Sequence, residues 1–163
     1  MDATYINPAL HAIINVLEKM AKLMPERDDV QVKSNHMAYG DVTSVIAMEG
    51  ESGKGSVAVS FPKNVIQFIA ERMLPPGMPL SEEMLHDLTG ELGNMLAGGM
   101  KGELENAGLK YNISLPEVIT GTPHILSHNL DSPVILLSFN TDVGPFYVEV
   151  TFLNEVNTPP ETA

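Results

Sequence analysis

The chain has 163 residues, 44% of them hydrophobic, no cysteine, and a formal net charge of −12 from 21 acidic and 9 basic residues. That length suits a single domain over residues 1–163 with a core of its own, and the lack of cysteine excludes a disulfide framework and thiolate chemistry. Nucleic acid and anionic membranes both need a basic patch, and the one local cluster, Lys19 with Lys22, sits beside Glu18, so both are set aside in favour of a protein partner that presents lysines or a bound cation.

The N-terminus, Met-Asp-Ala-Thr-Tyr, lacks the positive region and apolar run of a signal peptide. No stretch approaches the roughly 18 uninterrupted apolar residues of a membrane span. A cytoplasmic protein is expected. Asn7-Pro8 reads as a helix start, with asparagine at the cap and proline in the first turn. Leu10, Ile13, Ile14, Leu17, Met20, Ala21 and Met24 then recur at helical spacing until Pro25. Val30–Lys33 is a short strand candidate. Asp41–Glu49 and Ser56–Phe61 read as strands around a Gly50–Gly55 turn, a β-hairpin. That turn resembles a phosphate loop only in composition, since it lacks the Gly-Lys-Ser/Thr ending and a following helix.

Pro62 opens a second helix carrying Val65, Ile66, Phe68, Ile69, Met73 and Leu74. A rigid Pro75–Pro79 connector follows it. Leu80, Ser81 and Glu83 mark the start of a third helix, which runs to about Asn106 and ends at Gly108. Tyr111–Ser114, Val134–Phe139 and Phe146–Leu153 are runs of strand formers, and Asn154–Ala163 is a tail expected to fray. The order α-β-β-β-α-α-β-β-β predicts an α+β fold with an antiparallel sheet packed against long helices.

The third helix holds the most informative stretch. Plotted at 100° per residue, Leu85, Leu88, Leu92, Met95 and Leu96 form its core face. Asp87, Glu91, Asn94, Gly98 and Lys101 form a separate polar stripe on its flank. Five glycines lie between residues 90 and 102. Each costs a helix about 1 kcal/mol relative to alanine, so close approach of other backbone is expected at some of them. Glu91 and Asn94 stand one turn apart and can face the same partner. Spacing alone does not separate such a pair from ordinary solvated residues, and Glu103 with Asn106 satisfies the same pattern. A weak echo in the first helix, Leu10-His11 with Leu17 and Met20, carries Val16 and Lys19 at the positions of Glu91 and Asn94.

Context distinguishes the first pair. Glu91-Leu92-Gly93-Asn94-Met95-Leu96-Ala97-Gly98-Gly99 and Ser114-Leu115-Pro116-Glu117-Val118-Ile119-Thr120-Gly121 resemble the CheX branch of the CheC/CheX/FliY phosphatases. So do Ile6-Asn7-Pro8, Asp41–Ile46 and Gly55–Pro62, and the likeness spans about residues 5–153. The resemblance implies hydrolysis of the aspartyl phosphate of a CheY-like response-regulator receiver domain. It implies that Asn94 orients the attacking water and Glu91 contacts the receiver's lysine, that the protein has no cofactor of its own, that Mg²⁺ belongs to the receiver, and that the chain forms a homodimer with one motif per subunit. A carboxamide both donates and accepts hydrogen bonds, which suits a phosphoryl transfer that depends on positioning more than on covalent work by the protein. The reading from another class is a non-catalytic module that docks on a receiver or other signalling partner. His124 and His128 have the spacing of helical metal ligands, but the stretch is β-like and no third ligand stands near. Ten methionines read as core filler.

Overall fold

The computed structural model describes residues 3–153; the tail expected to fray, Asn154–Ala163, lies outside the described residues. Helix α1 (Ala3–Ala21) is followed by strands β1 (Glu26–Val32), β2 (Val42–Gly50) and β3 (Gly53–Phe61). Helices α2 (Lys63–Met73) and α3 (Glu82–Asn106) come next, and then β4 (Asn112–Ile113), β5 (Glu117–Thr120), β6 (Ile135–Thr141) and β7 (Gly144–Leu153). The seven strands form one antiparallel sheet in the order β1-β6-β7-β3-β2-β4, with β5 also paired to β2. The predicted α+β order holds, with β5 as one additional short strand in the last third. Four residues behind Pro116 carry little periodicity, so only pairing with Val42–Val45 of β2 makes them a strand.

Local signals fix most boundaries. The β2–β3 hairpin closes tightly, with Gly50 paired to Gly53 across Glu51-Ser52. The Ser81 hydroxyl accepts from the Met84 amide at 3.1 Å and caps α3. At the other end of α3, Gly108 adopts φ +84°. Its amide and that of Leu109 return to the carbonyls of Glu105 and Leu104 at 3.0 and 2.9 Å, which stops the helix. Helix α1 departs from expectation, because it runs from Ala3 and holds Pro8 in its interior instead of starting at Asn7-Pro8. An interior proline is costly, but the upstream turn places Tyr5 in the core. Its ring stacks on Phe152 at 4.4 Å and its hydroxyl meets that of Tyr111 at 3.4 Å. Burial first, then that hydrogen bond, push the Tyr111 phenol above its ordinary pKa.

All three helices cover one face of the sheet. Val57, Val59 and Phe61 of β3, Ile135, Leu137 and Phe139 of β6, and Phe146, Val148, Val150 and Phe152 of β7 alternate onto that face and meet Ile13, Leu17, Ile66, Ile69, Leu92 and Leu96. The intervening residues point to the opposite face. There, Lys33–Ala38 and His124–Val134 lie across the strands, joined by a bridge between Met37 and Ile125 and by bonds from the Ala38 amide to the His124 carbonyl and from the Leu126 amide to the His36 carbonyl. Among the methionines, Met48 and Met100 are buried as core filler should be, whereas Met24 and Met78 are exposed.

Candidate functional site

Glu91 and Asn94 are both exposed, one turn apart on α3, with Leu92 fully buried behind them and Leu88 and Met95 half-buried against the core. Neither side chain of the pair has a hydrogen-bond or ion-pair partner among the described residues. Asp87, on the same stripe, is exposed and has its nearest charge contact with His86 at 3.9 Å. Gly98 is open, with no atom within 4 Å of where a Cβ would stand. The flank is therefore polar, unpaired at Glu91 and Asn94, and flat at Gly98.

The opposite side of the helix explains why the flank is rigid. A Cβ on Gly93 would stand 2.2 Å from Ser44 Oγ and 2.9 Å from Ile46 Cδ1, so only glycine lets α3 lie this close to β2. A Cβ on Gly90 would reach Val118 of β5 at 3.2 Å, and one on Gly99 would reach Ala12 of α1 at 3.0 Å. The glycine-rich pattern thus divides by function: Gly93 and Gly99 seat the helix, and Gly98 and Gly102 meet nothing. The His11–Glu103 contact at 2.7 Å ties α1 to α3 beyond that seam.

Glu91 and Asn94 line an open groove of about 430 Å³. Its one wall is the α3 flank from His86 to Asn94, and its other wall is Leu115, Pro116 and Val118. Sequence reasoning found the first wall from helical spacing. The second wall was legible only as part of the family resemblance, because nothing local says that the β4–β5 connection folds against α3. The groove carries acid from Asp87 and Glu91, which suits an approaching cation. In the first helix, by contrast, Val16 is buried and Lys19 is exposed, so the echo of the motif holds no comparable pair.

The two histidines with metal-like spacing are committed elsewhere and to different partners. His124 donates from Nδ1 to the Gly121 carbonyl at 2.8 Å, and its Nε2 accepts from the Thr43 hydroxyl at 2.7 Å. His128 is bonded to Ser56 Oγ at 2.6 Å and donates from Nε2 to Glu149 at 3.1 Å. Glu149 also accepts from Lys33 at 2.7 Å, and the side chains of both are only 1% exposed. This buried cluster escaped the sequence reading: Lys33, Ser56, His128 and Glu149 are far apart in the chain. Among the described residues no group of three or more acidic or histidine side chains could hold a metal ion, and no helix is long and apolar enough to cross a membrane.

Comparison with known proteins agrees with the fold. The family described as "Chemotaxis phosphatase CheX" matches residues 42–140. The CheY-P phosphatase CheX of Thermotoga maritima is 26% identical over 123 residues, which span 74% of this chain and 78% of that protein. A CheC-like superfamily protein from Shewanella sp. PV-4 superposes with a TM-score of 0.86 at 34% identity, covering 94% of this chain and 100% of that one. The CheX of Borrelia burgdorferi, solved in complex with CheY, BeF₃ and Mg²⁺, shares the fold with a TM-score of 0.75 at 22% identity, covering 91% of this chain and 97% of that one.

Proposed function

The chain belongs to the CheX family of chemotaxis phosphatases, and from that premise we propose that it hydrolyses the aspartyl phosphate of a CheY-type receiver domain through Asn94 and Glu91. The observation that carries the reading is an exposed, unpartnered carboxamide one turn from an exposed, unpartnered carboxylate, on a helix seated against β2 at Gly93. In the proposed complex the α3 flank enters the receiver's phosphorylation site. The Asn94 carboxamide accepts from the water with its oxygen and holds it in line with phosphorus. The water oxygen bonds to phosphorus, the bond from phosphorus to the aspartyl oxygen breaks, inorganic phosphate leaves and the aspartate is regenerated. A rigid helix favours such chemistry, because placing the water is most of the work. Glu91 meets the receiver's lysine across the interface and fixes the angle of entry. The Mg²⁺ that neutralises the phosphoryl oxygens is assigned to the receiver, and the setting to the cytoplasm where such receivers act.

The test is decay of a phosphorylated receiver from the same host, with wild type, Asn94→Ala and Glu91→Ala. Wild type accelerates the decay. Asn94→Ala binds the receiver and fails to accelerate it. Glu91→Ala loses binding as well as turnover, and the loss shrinks at high salt as the charge contact is screened. A receiver that binds the wild type without faster decay would instead establish a docking module.

We also infer a homodimer. Among the described residues strand β1 is an outer edge of the sheet, paired with β6 alone, and the apolar Met24 and Val32 beside and within it are exposed. A second copy packed there would take these apolar groups out of water. Sedimentation at micromolar concentration separates a dimer from a 17.7 kDa monomer.

A further inference from the structure

Leu115 is 89% exposed, more than any other large apolar side chain among the described residues. A lone surface leucine is ordinary, but this one sits on the outer wall of the groove that holds Glu91 and Asn94. Its backbone is also held in place. The Ser114 amide donates to the Ala47 carbonyl and the Ala47 amide donates to Ser114 Oγ, both at 2.9 Å, so the residue before it is clamped to β2. The residue after it is Pro116, which confines Leu115 to extended conformations. The opposite wall offers charge and glycine: His86, Asp87, Gly90 and Glu91. The groove therefore presents one projecting aliphatic group on a fixed support, facing a polar wall.

We propose that Leu115 is the apolar anchor by which this protein holds a receiver domain, packing on an apolar patch beside the receiver's phosphorylation site while the α3 flank enters the site itself. The proposal rests on the phosphatase reading of the groove and assigns it a source of affinity that does not depend on charge. A segment whose backbone is already held by its neighbours loses little main-chain freedom on binding, so less of the gain from burying Leu115 is offset. Its contribution belongs to binding and not to turnover, since Leu115 makes no contact with the reacting atoms in this scheme.

The experiment uses a CheY-type receiver from the same host in two forms: activated with beryllofluoride and Mg²⁺ for titration calorimetry, and phosphorylated from acetyl phosphate for steady-state decay. The full chain is compared with Leu115→Ala, Leu115→Met and Asn94→Ala. Leu115→Ala raises Kd and KM roughly tenfold, the scale of an interface anchor, and leaves kcat and the melting temperature unchanged. The loss is the same at low and high salt, and Leu115→Met recovers most of it. Wild-type affinity in Leu115→Ala overturns the anchor, even if Asn94→Ala is inactive and the phosphatase reading stands. Wild-type turnover in Asn94→Ala overturns that reading, while weakened binding in Leu115→Ala keeps the anchor.

Discussion

The two faces of the sheet are closed by different chemistry. Helices α1, α2 and α3 seal one face with apolar side chains, from Val57 and Phe61 in the centre to Phe139 and Phe146 towards the β1 side. Two irregular segments seal the other, and polar groups hold them. Lys33 and His128 converge on Glu149, and the Gly40 amide, Ser60, Thr43 and His124 form a continuous hydrogen-bond chain. On the loop-covered face the buried polar side chains are bonded to one another, as buried polar groups must be. On the helical face the buried Thr89 hydroxyl of α3 donates back to the Leu85 carbonyl of its own helix, so the outer flank is free to carry Glu91 and Asn94 without internal partners. The Lys33–Glu149–His128 cluster and the Glu91–Asn94 pair thus lie on opposite sides of the sheet.

Four substitutions break or sharpen that contrast. The largest effect is on the loop-covered face: Glu149→Gln leaves the Lys33 ammonium buried without its counter-charge, and costs about 3–5 kcal/mol of stability. Denaturant unfolding measures it, and phosphatase turnover per folded molecule stays at the wild-type value. Asn94→Ala is the mirror image. Stimulated dephosphorylation falls by about 10²-fold or more, whereas the unfolding midpoint is unchanged because an exposed truncation opens no cavity. Gly93→Ala joins the two behaviours, since it lies between Glu91 and Asn94 in the chain but on the seated side of the helix. The added methyl would stand 2.2 Å from Ser44 Oγ, so stability drops by about 1–3 kcal/mol, as in overpacked cores, and turnover falls with the shifted helix. Gly98→Ala is smallest and opposite in sign: with nothing within 4 Å, it raises stability by about 0.5–1 kcal/mol through helix propensity. A thermal melt in which Gly98→Ala destabilises and Gly93→Ala does not would reverse the assignment of seated and open sides.

What was legible in the sequence was what repeats locally. Leu85, Leu92 and Leu96 mark the buried side of α3 at intervals of seven and four, and the same geometry places Glu91 and Asn94 together on its flank. Ser81 and Gly108 bound that helix because capping and left-handed backbone are properties of a few consecutive residues. The hairpin between β2 and β3 was readable for the same reason: alternation on both sides of a glycine turn specifies its own partner.

Pairings across long stretches of chain were settled only by the tertiary structure. Glu149 sits at an alternate position of β7 that local pattern assigns to solvent, and becomes buried because His124–Val134 crosses above it, bringing His128 and then Lys33, 116 residues away, to its carboxylate. Pro8 was readable as a helix start, but Tyr5 finds Phe152 and Tyr111, and that contact draws the preceding turn into the helix. Strand β5 exists because β2 offers it a ladder, and the same ladder carries Leu115 and Pro116 to the rim of the groove. The sequence by itself determined the helix, its two sides and the pair of residues on the open one, because those depend on spacing within a few turns. The tertiary structure alone decided which glycine could not be replaced, which polar side chains were already bonded, and what wall stood opposite the pair, because each depends on which distant backbone comes within a few ångströms.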